Sequence, residues 1–130
     1  AICITTNGIV KANGALVMGA GIAKQARDKF PGLDMHAGWC VNRWGNRCMN
    51  LKMVRHTSIV SFPTKHDWRN PSSLELIKIS ANQLVEMADK FEWRQIILTP
   101  PGCGNGGLSW NDVKAILEPI FDDRFIILRG

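Results

Sequence analysis

A glycine-rich stretch between a strand and a helix constrains this chain more than any other feature. It runs from Pro100 to Leu108 and reads Pro-Pro-Gly-Cys-Gly-Asn-Gly-Gly-Leu. The apolar run Ile96–Thr99 precedes it as a buried strand, and apolar residues at helical spacing follow it from Val113 to Phe121. A strand that leads through glycines into a helix leaves backbone N–H groups free to bind phosphate. We therefore predict a phosphate site here, against the alternative of a glycine-rich turn without a ligand.

The same stretch fits the G-x-G-x-x-G pattern of dinucleotide-binding domains over Gly102–Gly107. In those domains the pattern opens the first βαβ unit, and an acidic residue follows at the end of the next strand. Here the next strand, Phe125–Leu128, leads directly into Arg129 and Gly130. The sequence therefore excludes an NAD-dependent dehydrogenase and keeps the phosphate site.

Length and composition predict one domain over residues 1–130. The chain is 45% hydrophobic and 21% charged, which is ordinary for a soluble globular protein. No apolar run approaches membrane-spanning length and no signal peptide is recognisable, so we expect a cytoplasmic protein without a membrane partner. The cysteines form no C-x-x-C pair and the histidines lack metal-ligand spacing, so we expect reduced thiols, no metal and no cofactor.

The net charge of +5 is concentrated in one segment. Between Arg43 and Arg69 there are six basic residues and one acidic residue, Asp67, and the rest of the chain is neutral. Two interpretations stay open at this point. The segment is either a solvated face of the protein or the docking surface of an anionic partner such as a nucleic acid.

Strands and helices alternate along the chain. This pattern predicts a three-layer α/β/α sandwich with a mixed central sheet. Ligands in such sheets bind beyond the carboxyl ends of the strands, so we expect Asn7, Thr64, Lys65 and the glycine stretch to meet in one crevice. The predicted strands are Ile2–Thr5, Cys48–Met53, Ser58–Phe62, Ile96–Thr99 and Phe125–Leu128.

Three local patterns refine this prediction. Asn13-Gly14 between apolar arms predicts a hairpin turn, which leaves Asn7 free for chemistry at a strand end. Ser72-x-x-Glu75 predicts a capping box that starts a long helix. Met18-Gly19-Ala20-Gly21 is a second place where glycines open a helix, and two such loops suggest a diphosphate held from both sides.

Four sequence blocks in this order resemble the macrodomain family over essentially the whole chain. They are Ala1–Asn7, Met18–Ala23, Phe62–Arg69 and Gly102–Trp110. Within the family, the resemblance is greatest to the branch that contains the terminal ADP-ribose glutamate hydrolases and the DNA-ADP-ribosylation antitoxins. Proteins of this branch bind ADP-ribose, and several remove it from protein or DNA. The resemblance also implies a cognate ADP-ribosyltransferase as a partner.

The resemblance assigns residues to the site. Lys65 matches the lysine that acts on C1″, and Asn7 would contact the distal ribose, so both are candidate catalytic residues. Two glycine loops line the implied site: the first glycine loop (Met18–Ala23) and the second glycine loop (Gly102–Leu108). Ile22 and Ala23 of the first loop and Gly104–Leu108 of the second would hold the diphosphate. The candidate ADP-ribose-binding residues are Met18, Gly19, Ala20, Gly21, Ile22, Ala23, Thr64, Gly102, Cys103, Gly104, Asn105, Gly106, Gly107 and Leu108.

The chain departs from the family pattern in three places. The family's N-terminal strand with a Gly-Asp pair, whose aspartate holds the adenine amine, is absent from this sequence, so either those residues are missing from the chain or adenine is recognised differently. The hairpin at Asn13-Gly14 lengthens the first loop. The acid that assists the lysine in glutamate hydrolases falls at Gly106, which makes the DNA-type branch the nearer one.

Three functions of different classes stay open from the sequence. The first is hydrolysis of ADP-ribose from DNA or protein, with Lys65 acting either as a covalent nucleophile or through its charge. Arg69 and His66 would supply the positive neighbours that lower the pKa of a nucleophilic lysine. The second is a phosphatase for ADP-ribose 1″-phosphate, built on Asn7 and water. The third is a non-catalytic ADP-ribose reader. A nucleophilic Cys103 paired with His66 is the weakest alternative, because a thiol between glycines is usually a small apolar side chain.

Overall fold

A five-stranded mixed sheet forms the centre of the protein, as described for residues 1–129 by a computed structural model. The strands lie in the order β2-β3-β1-β4-β5. All neighbouring strands are parallel except the edge pair β2 and β3. The elements are β1 (Ile2–Thr6), α1 (Gly21–Lys29), α2 (Leu33–Trp44), β2 (Asn50–Val54), β3 (Thr57–Pro63), α3 (Leu74–Phe91), β4 (Ile96–Leu98), α4 (Trp110–Leu117) and β5 (Phe125–Ile127).

The two faces of the sheet bury separate apolar clusters. On one face, Ile4 and Ile59 pack with Leu33, Ala37 and other small apolar residues of α1 and α2. On the other face, β-strand residues pack against α3 and α4. Successive residues of one strand enter opposite clusters, as Cys3 and Ile4 do. The predicted three-layer sandwich with a mixed sheet is therefore confirmed.

The predicted hairpin turn at Asn13-Gly14 is present, but its arms do not form regular strands. Val10 and Leu16 form a single antiparallel bridge, and the backbone N–H of Gly14 closes the turn on the carbonyl of Lys11. Asn13 accepts a hydrogen bond from the backbone of Ala15, as a turn residue does. The turn rests on α2 at Gly38, where a Cβ atom would overlap the carbonyl oxygen of Gly14.

The predicted capping box at Ser72 is wrong by one residue. Helix α3 begins at Leu74, and the hydroxyl of Ser73 caps it by accepting from the backbone N–H of Leu76 at 3.1 Å. Ser72 stays outside the helix because its own N–H donates to the carbonyl of Gly106 at 3.0 Å. Either serine can serve as a cap residue, although only Ser72 has a glutamate three positions on, and the tertiary bond of Ser72 leaves the cap to Ser73.

The carboxyl ends of three parallel strands meet above the centre of the sheet. Thr6 ends β1 beside Pro63 of β3, and the N–H of Thr64 continues the pairing by donating to the carbonyl of Thr6. Strand β4 ends at Leu98 on the other side of β1. Among the helices of residues 1–129, none combines the length and the apolar character that a bilayer crossing requires.

Candidate functional site

A cavity of about 820 Å³ opens at the carboxyl ends of β1, β3 and β4. This size suits a ligand larger than a mononucleotide and lies in the usual range for small-molecule and cofactor sites. Both glycine loops and the loop after β3 form its walls. The lining residues are Thr5, Thr6, Asn7, Val17, Met18, Gly19, Ala20, Gly21, Ile22, Ala23, Gln25, Thr64, Lys65, Trp68, Ser72, Thr99, Pro100, Gly102, Gly104, Asn105 and Gly106.

The first glycine loop delivers the start of α1 to the cavity. Gly21, the first residue of the helix, has a φ of +58°, which favours glycine. Ala20 occupies the cap position without a side-chain cap, and the first turn contains no acidic residue. The backbone N–H groups at this helix end are therefore open to an anionic ligand, and the helix dipole favours one.

The second glycine loop faces the first across the cavity. It is held in a tight form, because Leu108 donates to the carbonyl of Gly102 at 2.9 Å and Gly107 donates to Gly104 at 3.2 Å. Gly104 and Asn105 are exposed. A Cβ atom placed on Gly21 would lie 3.6 Å from the amide nitrogen of Asn105, so the two loops approach each other at this point.

Lys65 joins the loop after β3 to the second glycine loop. Its Nζ lies 3.4 Å from the carbonyl oxygens of both Trp68 and Asn105. The backbone carbonyl of Lys65 accepts from the side-chain amide of Asn46 at 3.0 Å, which fixes the base of the side chain. An ammonium group has three hydrogens to donate, so one remains for a ligand in the cavity.

Asn7 lines the cavity but also holds the hairpin. Its Nδ2 donates to the carbonyl of Val17 at 2.9 Å, and its Oδ1 accepts from the N–H of Ile9 at 3.0 Å. The expectation that Asn7 is entirely free for chemistry is therefore wrong. One amide hydrogen remains for a ligand, and the predicted contact with the distal ribose stays a prediction.

The charges near Lys65 differ from the expectation. Arg69 points at Asp67, with a shortest separation of 2.6 Å, and the guanidinium holds the pKa of that carboxyl down at about 2. Its charge is thus directed at the carboxylate. His66 is exposed and contributes its carbonyl oxygen to the N–H of Gly8 at 3.1 Å. Arg69 is therefore paired with Asp67 and is not a free positive neighbour of Lys65, whereas the predicted effect of His66 stays a prediction.

Three predicted ligand residues lie behind the loop and do not line the cavity within residues 1–129. The side chains of Cys103 and Leu108 pack against the apolar cluster under α3 and α4. Gly107, with a φ of +76°, forms the turn that returns the chain to the helix. Burial raises the pKa of the Cys103 thiol, which disfavours the thiolate that a cysteine nucleophile needs.

Ser72 is the functional candidate that the sequence missed. It is among the residues that line the cavity and is only 7% exposed. Within residues 1–129 its hydroxyl has no hydrogen-bond partner, although a buried hydroxyl normally has one. It lies against Gly106, where a Cβ atom would overlap the Ser72 Oγ. No sequence signal separates Ser72 from a helix cap. Trp68, on the loop after β3, also lines the cavity.

Gly106 has no room for the acid that glutamate hydrolases place there. A Cβ at this position would overlap Ser72 and lie 2.5 Å from the carbonyl oxygen of Gly102. The site therefore offers Lys65 without an acidic partner at this position. In residues 1–129, no three His, Cys, Asp or Glu side chains come together as a metal-binding group.

No protein-family model matches the chain. A curated relative, the DNA ADP-ribosyl glycohydrolase of Mycobacterium tuberculosis, is 32% identical over 112 residues, which make up 81% of this chain and 32% of the relative. The chain thus spans about a third of the length of that relative.

Two solved structures resemble the whole fold. The macrodomain of Thermus aquaticus DarG is 31% identical, with a TM-score of 0.73 over 92% of this chain and 79% of that one. The macrodomain of Mycobacterium tuberculosis DarG is 26% identical, with a TM-score of 0.78 over 97% of this chain and 86% of that one.

Proposed function

The chain belongs to the macrodomain family, and we propose that its cavity binds ADP-ribose and hydrolyses the ADP-ribosyl linkage on DNA. The observation that carries this proposal is the convergence of two glycine loops and one lysine on a single cavity. The curated relative's name describes removal of ADP-ribose from DNA. ADP-ribosylated protein is the alternative substrate.

The two loops suit a diphosphate. The start of α1 offers uncapped N–H groups on one side, and the exposed backbone of Gly104 and Asn105 lies on the other. Phosphate oxygens accept from such groups, and glycine allows the close approach. The unpartnered hydroxyl of Ser72 supplies one more donor at the edge of the second loop.

In the proposed reaction, Lys65 acts at the anomeric carbon. As the bond from C1″ to the base breaks, its electron pair goes to the base, and Nζ donates a proton to that leaving group. Water then attacks C1″ and loses a proton to the neutral amine, which restores the ammonium. The two carbonyl oxygens beside Nζ suit the ammonium and support action by charge and proton donation over covalent attack.

Two alternatives from the sequence are less well supported. A phosphatase for ADP-ribose 1″-phosphate would depend on Asn7 and water, but most of the Asn7 amide holds the hairpin. A reader without activity would not need Lys65 at the cavity. The missing acid at Gly106 favours the DNA-type reaction over glutamate hydrolysis.

The proposed reaction also suggests a functional partner and a cellular location. An enzyme that removes ADP-ribose requires an ADP-ribosyltransferase that attaches it, and we place such a transferase as the functional partner. A DNA substrate and four free cysteines favour a cytoplasmic location.

A side-by-side incubation tests the proposed function. The protein is mixed with ADP-ribosylated DNA, ADP-ribosylated protein and ADP-ribose 1″-phosphate, and released ADP-ribose or phosphate is measured. We expect release of ADP-ribose from DNA. Release of phosphate alone would support the phosphatase. Binding of ADP-ribose without release from either macromolecule would make this domain a reader.

A further inference from the structure

Helix α2 exposes a row of aromatic rings outside the cavity. Trp39 and Trp44 are each 54% exposed, and their rings meet edge to face with centroids 5.2 Å apart. His36 stacks on Trp39 at 6.0 Å. We name these three residues the α2 aromatic face. Large apolar surfaces of this kind on a soluble protein commonly mark a binding site.

The surroundings of this face are positive. The Arg43 guanidinium lies 5.5 Å from the centroid of the Trp44 ring, and Arg47 is exposed nearby in the chain. Between Asp34 and Asp67 the sequence has no acidic residue. Within residues 1–129, neither arginine takes part in an ion pair. A partner for this face should therefore be anionic and should offer flat groups for the rings.

The end of α2 adjoins the loop that carries Lys65. The side-chain amide of Asn46, two residues beyond the helix, donates to the backbone carbonyl of Lys65 at 3.0 Å. The N–H of Gly8 holds the next carbonyl, that of His66, at 3.1 Å. A Cβ atom on Gly8 would lie 2.9 Å from the Asn46 amide, so these segments are in close contact. The segment that follows α2 is therefore in direct contact with the loop that carries Lys65.

We propose that the α2 aromatic face, with Arg43 and Arg47, binds the single-stranded nucleic acid that flanks the modified nucleotide. Bases stack on the indole rings and the arginines contact phosphates. A duplex fits less well, because its base faces are already stacked on each other. A second copy of this chain would bring the same arginines onto the face, and like charges oppose that pairing. Only the placement of the modified nucleotide at Lys65 rests on the proposed function.

The test measures binding of an unmodified fluorescent single-stranded oligonucleotide by anisotropy. Replacing both tryptophans, Trp39→Ala with Trp44→Ala, should weaken affinity by roughly 5- to 140-fold for each stacked base lost. Arg43→Gln with Arg47→Gln should reduce the slope of log affinity against log salt by about 0.7 for each phosphate contact. All four side chains are exposed, so the variants should keep the melting temperature.

A matched control comes from the far end of α3. Phe91 is 48% exposed and has Lys90 over its ring at 5.5 Å, which is the same aromatic and cationic pairing at another place. Phe91→Ala with Lys90→Gln should leave oligonucleotide affinity unchanged. An equal loss in this control would mean that any exposed ring with a cation binds DNA, and it would overturn the proposal.

The outcome is separable from the proposed hydrolysis. The α2 variants should bind ADP-ribose and cleave a single ADP-ribosylated nucleotide like the wild type, while KM for a long modified strand rises. Failure of the wild type to cleave any conjugate would refute the hydrolysis and leave the oligonucleotide result intact. Unchanged oligonucleotide affinity in the tryptophan variant would overturn the inference. So would tighter binding of duplex, or a dimer in solution that the variant dissociates.

Discussion

The two glycine loops border the same cavity but use glycine for different reasons. In the first loop Gly19 is exposed, and a Cβ atom there would have no neighbour within 4 Å. In the second loop Gly102 and Gly106 are buried, and a Cβ on either would overlap or crowd Ser72. Between them, Gly104 is exposed with open space around it. One glycine-rich stretch therefore contains positions that make room for protein packing and positions that make room for a ligand.

The largest effect should fall on a packing glycine. Gly106→Ala pushes a methyl group into the Ser72 hydroxyl and the Gly102 carbonyl, and neither lies at the end of a long flexible side chain. We expect a loss of about 3 kcal/mol in the free energy of unfolding, measured by urea denaturation. Gly104→Ala, the matched variant, should lose less than about 0.5 kcal/mol. Equal losses at the two positions would remove the distinction between the two kinds of glycine.

Gly104→Val should separate binding from stability. Its Cβ has open space in the free protein, so the melting temperature without ligand should stay near that of the wild type. The side chain would occupy the approach of the diphosphate, so the rise in melting temperature with ADP-ribose should disappear. Gly107→Asn is the control, because Gly107 lies outside the cavity and asparagine tolerates its positive φ. A ligand-induced shift that survives Gly104→Val would refute the two-loop cradle.

Ser72→Ala tests whether the residue that crowds Gly102 and Gly106 also contacts the ligand. Its hydroxyl is buried without a partner in the described residues, so its removal should leave stability unchanged or slightly raised. If the hydroxyl donates to bound ADP-ribose, calorimetry should show an affinity roughly 2- to 12-fold weaker. An unchanged affinity would assign Ser72 to the packing of the second loop alone.

The smallest effect should come from Cys103→Ser. The thiol packs behind the loop, and burial raises its pKa, which disfavours the thiolate. Turnover should stay close to the wild-type rate between pH 7 and pH 8, an interval roughly below the ordinary thiol pKa. Loss of turnover with ADP-ribose binding intact would restore the cysteine nucleophile that the sequence left open.

The order of strands and helices followed from the sequence because apolar periodicity depends on near neighbours along the chain. The second glycine loop and Lys65 could be placed at the cavity in the same way, since each follows a strand, and the first glycine loop was recognised from the glycines that open α1. The catalytic role of Lys65 was assigned by the family resemblance. Periodicity could not predict the roles of residues whose environment is set by contacts between distant parts of the chain. Ser72 donates its backbone N–H to the carbonyl of Gly106 and lies outside the helix. The side-chain amide of Asn7 is hydrogen-bonded to the backbone of Val17 and Ile9. Leu108 turned out to face the core for the same kind of reason.

The proposed reaction assigns catalysis to Lys65, so replacing this residue tests the central claim most directly. Single-turnover release of ADP-ribose from DNA and calorimetric binding of free ADP-ribose should be measured on the same Lys65→Ala sample. We predict a loss of rate of about 10²- to 10⁴-fold with nearly unchanged affinity, because the loops hold the diphosphate. Lys65→Arg should fail as well, since guanidinium does not release its proton. A fully active Ala variant, or rate and affinity lost together, would contradict the account.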